Sequence, residues 1–204
     1  MTSNITKILY INLDKREDRR AEFESEIAKM GLTHMVERFS AIPHPTIGIA
    51  GCTRSHIGCL KLAKERGYPN VLIMEDDFEF IISRDEFDKQ LQAIYNTGDH
   101  FDVCMISFLL NQVETRVNRP YRKVIEAQTA SGYIVNANYY DALIELWEWS
   151  VVKLEETNHH WIYGNDQIWK RLQQQDDWIC LMEPAGKQRA SFSDCAMRFM
   201  DYGV

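Results

Sequence analysis

Val71–Asp77 reads VLIMEDD, four apolar residues followed without a spacer by three carboxylates. A continuous apolar run of this length is the pattern of a strand buried on both faces, as happens where helices cover both sides of a parallel sheet. Glu75, Asp76 and Asp77 then stand at the carboxyl end of that strand, the edge at which open α/β sheets bind their ligands. In an extended chain residues i and i+2 project to the same side, so Glu75 and Asp77 are expected to converge while Asp76 points elsewhere. Two oxygen ligands side by side suit Mg²⁺ or Mn²⁺ carrying a diphosphate. Taken alone, the trio reads more readily as a solvated turn or a helix cap, and its surroundings decide.

Upstream, Lys7–Leu13 (KILYINL) is a second nearly continuous apolar run and predicts a central strand. Phe23, Ile27 and Met30 recur at helical spacing, and Gly31 can supply the left-handed stop. Pro43–Gly51 (PHPTIGIAG) has no period and predicts a loop, after which Thr53 or Ser55 caps a helix running to about Gly67 and into VLIM. Downstream, Ser83 and Glu86 form a capping box for a helix whose apolar face is Phe87, Leu91 and Ile94. Strands are expected over Phe101–Phe108 and near Arg122–Ala127, Gly132–Val135 and Trp178–Met182. Between the last two, helices are expected from about Asn138 to Trp149 and Asp166 to Leu172. Strands alternating with helices throughout indicate an α/β sandwich, its mostly parallel central sheet flanked by helices. No repeat or linker marks a boundary, so a single domain over 1–204 is expected.

With 45% apolar and 26% charged residues the chain has the composition of a folded globular protein. A net charge of -7 argues against nucleic acid or anionic membrane as partner. Any diphosphate must therefore be met locally, by a metal ion, a helix N-terminus or a few placed basic side chains. Cys52, Cys59, Cys104, Cys180 and Cys195 contain no CxxC spacing and read as reduced thiols. The apolar run ending at Leu13 is too short for a leader, and no segment reaches the roughly 20 apolar residues of a membrane span. A cytoplasmic protein with no integral membrane segment is expected, and a homodimer stays open.

Four blocks in order resemble glycosyltransferase family 25, which includes lipopolysaccharide and procollagen galactosyltransferases. They are YINLDKREDR at Tyr10–Arg19, GCTRSHIGCLKLAKERGYPNVLIMEDD at Gly51–Asp77, ASGYIVN at Ala130–Asn136, and a stretch from Asn165-Asp166-Gln167 through Pro184 to Ser191–Asp194. The second block is the most specific, because identity and spacing agree across more than one element. The resemblance implies a GT-A type nucleotide-sugar-binding domain and a UDP-sugar donor such as UDP-galactose or UDP-glucose. It also implies a Mn²⁺-type ion at the acidic motif, inversion at the anomeric carbon, and a glycan or other hydroxylated acceptor, as in lipopolysaccharide biosynthesis.

Within that frame Glu75 and Asp77 are the candidate metal ligands. Asp76 joins Asn12, Asp14, Arg16, Arg19, Ser55 and His56 as candidates for holding the donor. The first four residues from Asn12 to Arg19 follow the first strand, and arginine meets phosphate through planar, multi-donor contact. Their competing reading is a solvated first helical turn with internal ion pairs. Ser55 and His56 are expected at the start of the helix leading to VLIM, where free amides can face a diphosphate. Asp166 is the candidate base for an acceptor hydroxyl, and Asp194 a second candidate for metal or acceptor contact. Adjacent His159 and His160 lack the i, i+4 spacing of a shared metal and read as a loop. Trp161, in polar surroundings, can stack on a sugar face. Two other readings use the same acidic cluster: a metal-dependent phosphohydrolase, or an inactive module that binds a glycan or nucleotide sugar.

Overall fold

The computed structural model describes residues 4–201 and 203; Met1–Ser3, on which part of the leader reading rests, lie outside them. In chain order the elements of the first half are β1 (Ile8–Asn12), α1 (Glu17–Lys29), β2 (Val36–Ser40), α2 (Gly48–Glu65), β3 (Asn70–Glu75), β4 (Phe78–Phe80) and α3 (Arg84–Tyr95). The sheet continues with β5 (Val103–Met105), β6 (Leu109–Thr115), β7 (Tyr121–Gln128) and β8 (Gly132–Asn136), followed by the long α4 (Tyr140–Thr157). Three single turns, α5 (His160–Tyr163), α6 (Asn165–Ile168) and α7 (Lys170–Gln173), lead to β9 (Trp178–Leu181), β10 (Gly186–Gln188), β11 (Ser191–Ser193) and β12 (Arg198–Met200).

Among the described residues one eight-stranded sheet has the order β2-β1-β3-β8-β5-β9-β7-β6. The pairs β1 with β2, β1 with β3, and β5 with β9 are parallel, while β8 runs against both β3 and β5 and β7 against both β9 and β6. Six strands therefore point one way and two, β8 and β7, the other. The sheet is mixed in its pairing and mostly parallel in its direction. All five residues of β1 and the first five of β3 are buried, as continuous apolar strands between helical layers must be.

The register brings the site together. Ile11 pairs with Glu75 across β1 and β3, so both strands deliver their carboxyl ends to one point. Antiparallel β8 begins there, with Met74 opposite Gly132 and the Glu75 amide donating to the Ser131 carbonyl at 3.0 Å. A methyl group at Gly132 would stand 2.8 Å from the Phe78 ring, which explains the glycine at this strand start.

Differences from the expected elements have identifiable causes. Helix α2 begins at Gly48, not near Thr53 or Ser55, because the glycines of PHPTIGIAG serve close approach and do not break the helix. A Cβ on Gly51 would lie 2.6 Å from the Ile42 carbonyl oxygen, and one on Gly48 would lie 2.8 Å from Cys195 Cα. Thr53 and Ser55, expected as caps, instead bond back to Ile49 and Gly51 carbonyls within the helix, each at 2.8 Å. The run Phe101–Phe108 contributes strand only over β5, and the chain restarts as the exposed β6. The stretch expected as one helix after Asp166 is divided between α6 and α7. Ser83 caps α3 as expected, accepting from the Glu86 amide at 3.3 Å, and Gly31 adopts φ +63° after α1.

Helix α2 carries buried residues on most of its surface because it lies between the sheet and α4, whose Leu143, Ile144, Trp147, Val151 and Leu154 recur at helical spacing. Trp147, Trp169 and Trp178 are fully buried, and each indole donor finds an oxygen at 3.1 Å: the Asn165 carbonyl, the Ala127 carbonyl and the Tyr139 hydroxyl respectively. Of the five tryptophans three are thus core. Among the described residues no helix is long and apolar enough to cross a membrane.

Candidate functional site

The end of β3 carries three carboxylates in two different settings. Glu75, still in the strand, accepts from His56 Nε2 at 3.0 Å and from Cys52 Sγ at 3.5 Å on its Oε1. The chain then turns, so strand alternation stops at Glu75, and Asp76 and Asp77 both face Arg19. Its Nη1 lies 2.8 Å from Asp76 Oδ1 and 3.3 Å from Asp77 Oδ2. The expected division of Glu75 and Asp77 from Asp76 is thereby redrawn: Asp76 and Asp77 share a guanidinium, and Glu75 joins α2. Glu75 and Asp77 remain close enough for the charge of Glu75 to act on Asp77, and Gln188 Nε2 donates to Glu75 Oε2 at 3.5 Å.

Electrostatics follow from this geometry. Burial and then the charge of Glu75 push the Asp77 carboxyl up to about 7, against the opposing pull of Arg19. Asp76 is raised mainly by burial, which outweighs Arg19 and the hydrogen bond from Asn12 Nδ2 at 2.7 Å. Glu75 is held low: burial would lift it, but the hydrogen bond and charge of His56 prevail. Asp77 Oδ1 and Arg19 Nε are buried and without a hydrogen-bond partner. An orphaned carboxylate oxygen beside a second carboxylate is what a divalent cation would satisfy, so Asp77 and Glu75 fit an Mg²⁺ or Mn²⁺ ion.

The end of β1 contributes the basic side of the site. Asn12 is buried and links Asp76 to the Arg16 carbonyl, to which Nδ2 donates at 3.0 Å, and its Oδ1 accepts from Arg38 Nε at 3.0 Å. Arg16 and Arg19 stand one turn apart at the start of α1. Arg16 Nη1 meets Asp194 Oδ2 at 2.5 Å and Lys15 Nζ meets its Oδ1 at 2.7 Å, holding Asp194 low against the effect of burial. Arg19 Nη2 donates to Ser191 Oγ at 2.5 Å. The β11–β12 hairpin is thus tied across the arginines that face the carboxylates. Asp14 sits on the rim, paired with Arg38 and accepting from Ser40 Oγ at 2.8 Å.

Asp166, on α6, is half-buried, and desolvation raises its carboxyl. Its Oδ2 accepts from the Thr129 amide and its Oδ1 from Gln167 Nε2, both at 3.2 Å. Thr129 has φ +86°, a costly conformation for a β-branched residue, and the Asp166 bond holds it there. Asp166 carries the field of Glu75 and belongs to the same cluster. Ser55 does not face the cluster: its hydroxyl is spent on the Gly51 carbonyl and the Ile42 amide, both at 2.8 Å. His56 does, though from the interior of α2 and not its start. Trp161 is 60% exposed between His159 and His160, whose rings lie 4.9 and 5.1 Å from it.

Site residues that sequence reasoning passed over are Cys52, Tyr133, Gln188 and Arg38. Cys52 carried a signal, its i, i+4 spacing to His56 on one helix face. Gln188 carried none, since it arrives on β10, a three-residue strand paired with β4.

No family model matches the chain, and no curated protein matches it in sequence. Among solved structures it superposes on a protein from STIV with 12% identity, 88% of this chain and 83% of that chain covered, and a TM-score of 0.48. A glycosyltransferase involved in the glycosylation of the major capsid of PBCV-1 gives 9% identity, 87% and 92% coverage and a TM-score of 0.48. Mannose-1-phosphate geranyltransferase from Thermus thermophilus gives 6% identity, 91% and 74% coverage and a TM-score of 0.46. These are distant likenesses, and the chemistry of the site rests on its own residues.

Proposed function

We propose that the chain is a single-domain, GT-A type glycosyltransferase similar to family 25. It moves a hexose, galactose or glucose, from a UDP-sugar to the hydroxyl of a glycan or other hydroxylated acceptor, with inversion. The observation that carries this reading is the meeting of three elements at the carboxyl ends of β1 and β3. Arg16 and Arg19 bring positive charge, Asp77 brings an unsatisfied buried carboxylate oxygen, and Asp166 brings a half-buried carboxyl from α6.

In this reading Arg16 and Arg19 orient the donor diphosphate, and Asn12 holds Asp76 so that the acidic turn keeps its shape. An Mg²⁺ or Mn²⁺ ion held by Asp77 and Glu75 supplies charge neutralisation for the leaving diphosphate. Asp166 accepts the proton of the acceptor hydroxyl as its oxygen bonds to the anomeric carbon and the bond from that carbon to the diphosphate oxygen breaks. A carboxyl raised by burial is a stronger base when ionised, and such a base is worth about 10² to 10⁴ in rate. One base and no covalent intermediate is the arrangement of an inverting transfer.

The test is thermal denaturation with UDP, UDP-galactose and UDP-glucose, each with Mn²⁺. One of them raises the melting temperature, and UDP release rises on adding an acceptor. No shift with any nucleotide sugar would overturn the reading. UDP release indifferent to acceptors would favour the hydrolase.

A further inference from the structure

Cys52 and His56 meet Glu75 and add a thiol and an imidazole to one of the carboxylates assigned to the donor's ion. Cys52 and His56 are four residues apart on α2, so their side chains leave one face of the helix. Glu75 meets them from β3. Sγ, Nε2 and Oε1 all lie within 4.8 Å of one another. Two of the three separations are hydrogen-bond distances to the same Oε1: 3.5 Å from Cys52 Sγ and 3.0 Å from His56 Nε2. A tetrahedral zinc with bonds of about 2.3 Å to sulfur and about 2.0 Å to nitrogen and oxygen has ligand-to-ligand edges of about 3.3 to 3.5 Å. The two edges that meet at Glu75 Oε1 already stand close to that spacing, and the third lies within 4.8 Å.

We propose that Cys52, His56 and Glu75 Oε1 form a zinc site that shares only Glu75 with the divalent ion assigned to Asp77 and Glu75. A thiolate, an imidazole and a carboxylate are a borderline-soft set that selects Zn²⁺ over the oxygen-seeking Mg²⁺ and Mn²⁺. Three protein ligands leave the fourth position open. The outer shell is present too. Tyr133 Oη lies 2.7 Å from His56 Nδ1, where it can accept the Nδ1 proton and free Nε2 for a metal. Asn165 Nδ2 approaches Cys52 Sγ at 4.0 Å, and Gln188 holds the other oxygen of Glu75. On binding, the Cys52 thiol would give its proton to solvent and form a sulfur–zinc bond. The proton would leave His56 Nε2 while an Nδ1 proton is donated in a hydrogen bond to Tyr133 Oη, and the hydrogen bonds of Cys52 and His56 to Glu75 would be exchanged for bonds to the ion. His100, Asp102 and Asp177, the other group of comparable spacing among the described residues, lie at the far end of the sheet, where Asp102 already accepts from His100, Asn138 and the Asp177 amide.

The experiment uses the full chain, stripped with a chelator and loaded with Zn²⁺ or Co²⁺. The wild type retains stoichiometric zinc through dialysis, and its Co²⁺ form shows a thiolate-to-metal charge-transfer band. Cys52→Ser abolishes that band, Tyr133→Phe weakens zinc binding by about 10- to 100-fold, and Asp77→Ala leaves the band in place. A Co²⁺ form lacking the band, or a band that survives in Cys52→Ser, overturns the proposal. Should Cys52→Ser fail to fold, alkylation of the wild type decides: zinc shields Cys52 from iodoacetamide, and equal labelling with and without zinc overturns the site. None of these readouts involves UDP, so failure of the transferase reading leaves them intact.

Discussion

At the scale of single residues, Arg19 is the counter-charge on which the acidic turn depends. Its guanidinium is half-buried against Asp76 and Asp77, and removing it leaves two buried carboxylates without a cation. Arg19→Ala is expected to cost about 3–5 kcal/mol, read as a lower denaturant midpoint. Asp77 has the opposite character. Its carboxyl titrates at about 7 in the folded chain and at about 4 when unfolded. Between those values the folded state holds the extra proton, so stability falls as pH rises from about 4 and levels off above about 7. Asp77→Asn removes this penalty: its gain over wild type is absent near pH 4 and grows to a few kcal/mol at neutral pH, on the order of 1.4 kcal/mol for each pH unit separating the folded and unfolded titrations. Melting curves of the metal-free proteins across that range check it; a gain independent of pH would assign the effect to packing. The position of Asn12, Arg16 and Arg19 at the carboxyl end of β1 was legible in the sequence, because Asn12 closes the strand and the two arginines come soon after it. That of Gln188 was not, because it lies 113 residues from Glu75 along the chain and is brought beside it by the pairing of β10 with β4.

At the scale of elements, α2 shows how local chemistry and packing can disagree. Read locally, Gly48 and Gly51 break a helix; in the fold they let the Ile42–His44 backbone and the C-terminal segment approach its first turn. Gly51→Ala should therefore destabilise by about 1–3 kcal/mol although alanine has the higher helix propensity. A urea titration measures this, and a variant more stable than wild type would show that the loop yields freely. The fully buried strands β1 and β3 were readable from apolar runs, since both faces must be apolar when helices cover them. The half-exposed β2 and β6 and the three-residue β4 and β10 were not, because an edge or ribbon strand is held by backbone pairing that any residue can supply.

At the scale of the whole molecule, the proposed donor requires a chain of net charge -7 to attract a diphosphate through local design. Lys15, Arg16, Arg19 and Arg38 gather on the β1–β2 side of the site to provide it. Stabilisation by UDP and Mn²⁺ should rise with pH as Asp77 ionises, reaching about 2.7 kcal/mol at a hundredfold excess over the dissociation constant. Scans near pH 5.5 and pH 8 compare the two regimes, and an equal shift at both would remove Asp77 from the ion. The sequence by itself determined the alternation of strands and helices and the end of the sheet at which the carboxylates lie, while the reversed direction of β8 between β3 and β5 was not legible in it. The two legible features depend on periodicity and on residues adjacent along the chain. Only the tertiary structure decided that Asp76 and Asp77 share Arg19 while Glu75 turns to His56 and Cys52. It alone brought Asp166 across from α6 and tied Asp194 to Arg16. Such partnerships are set by strand register and by where the chain leaves β3, and pairing between distant segments leaves no period in the sequence.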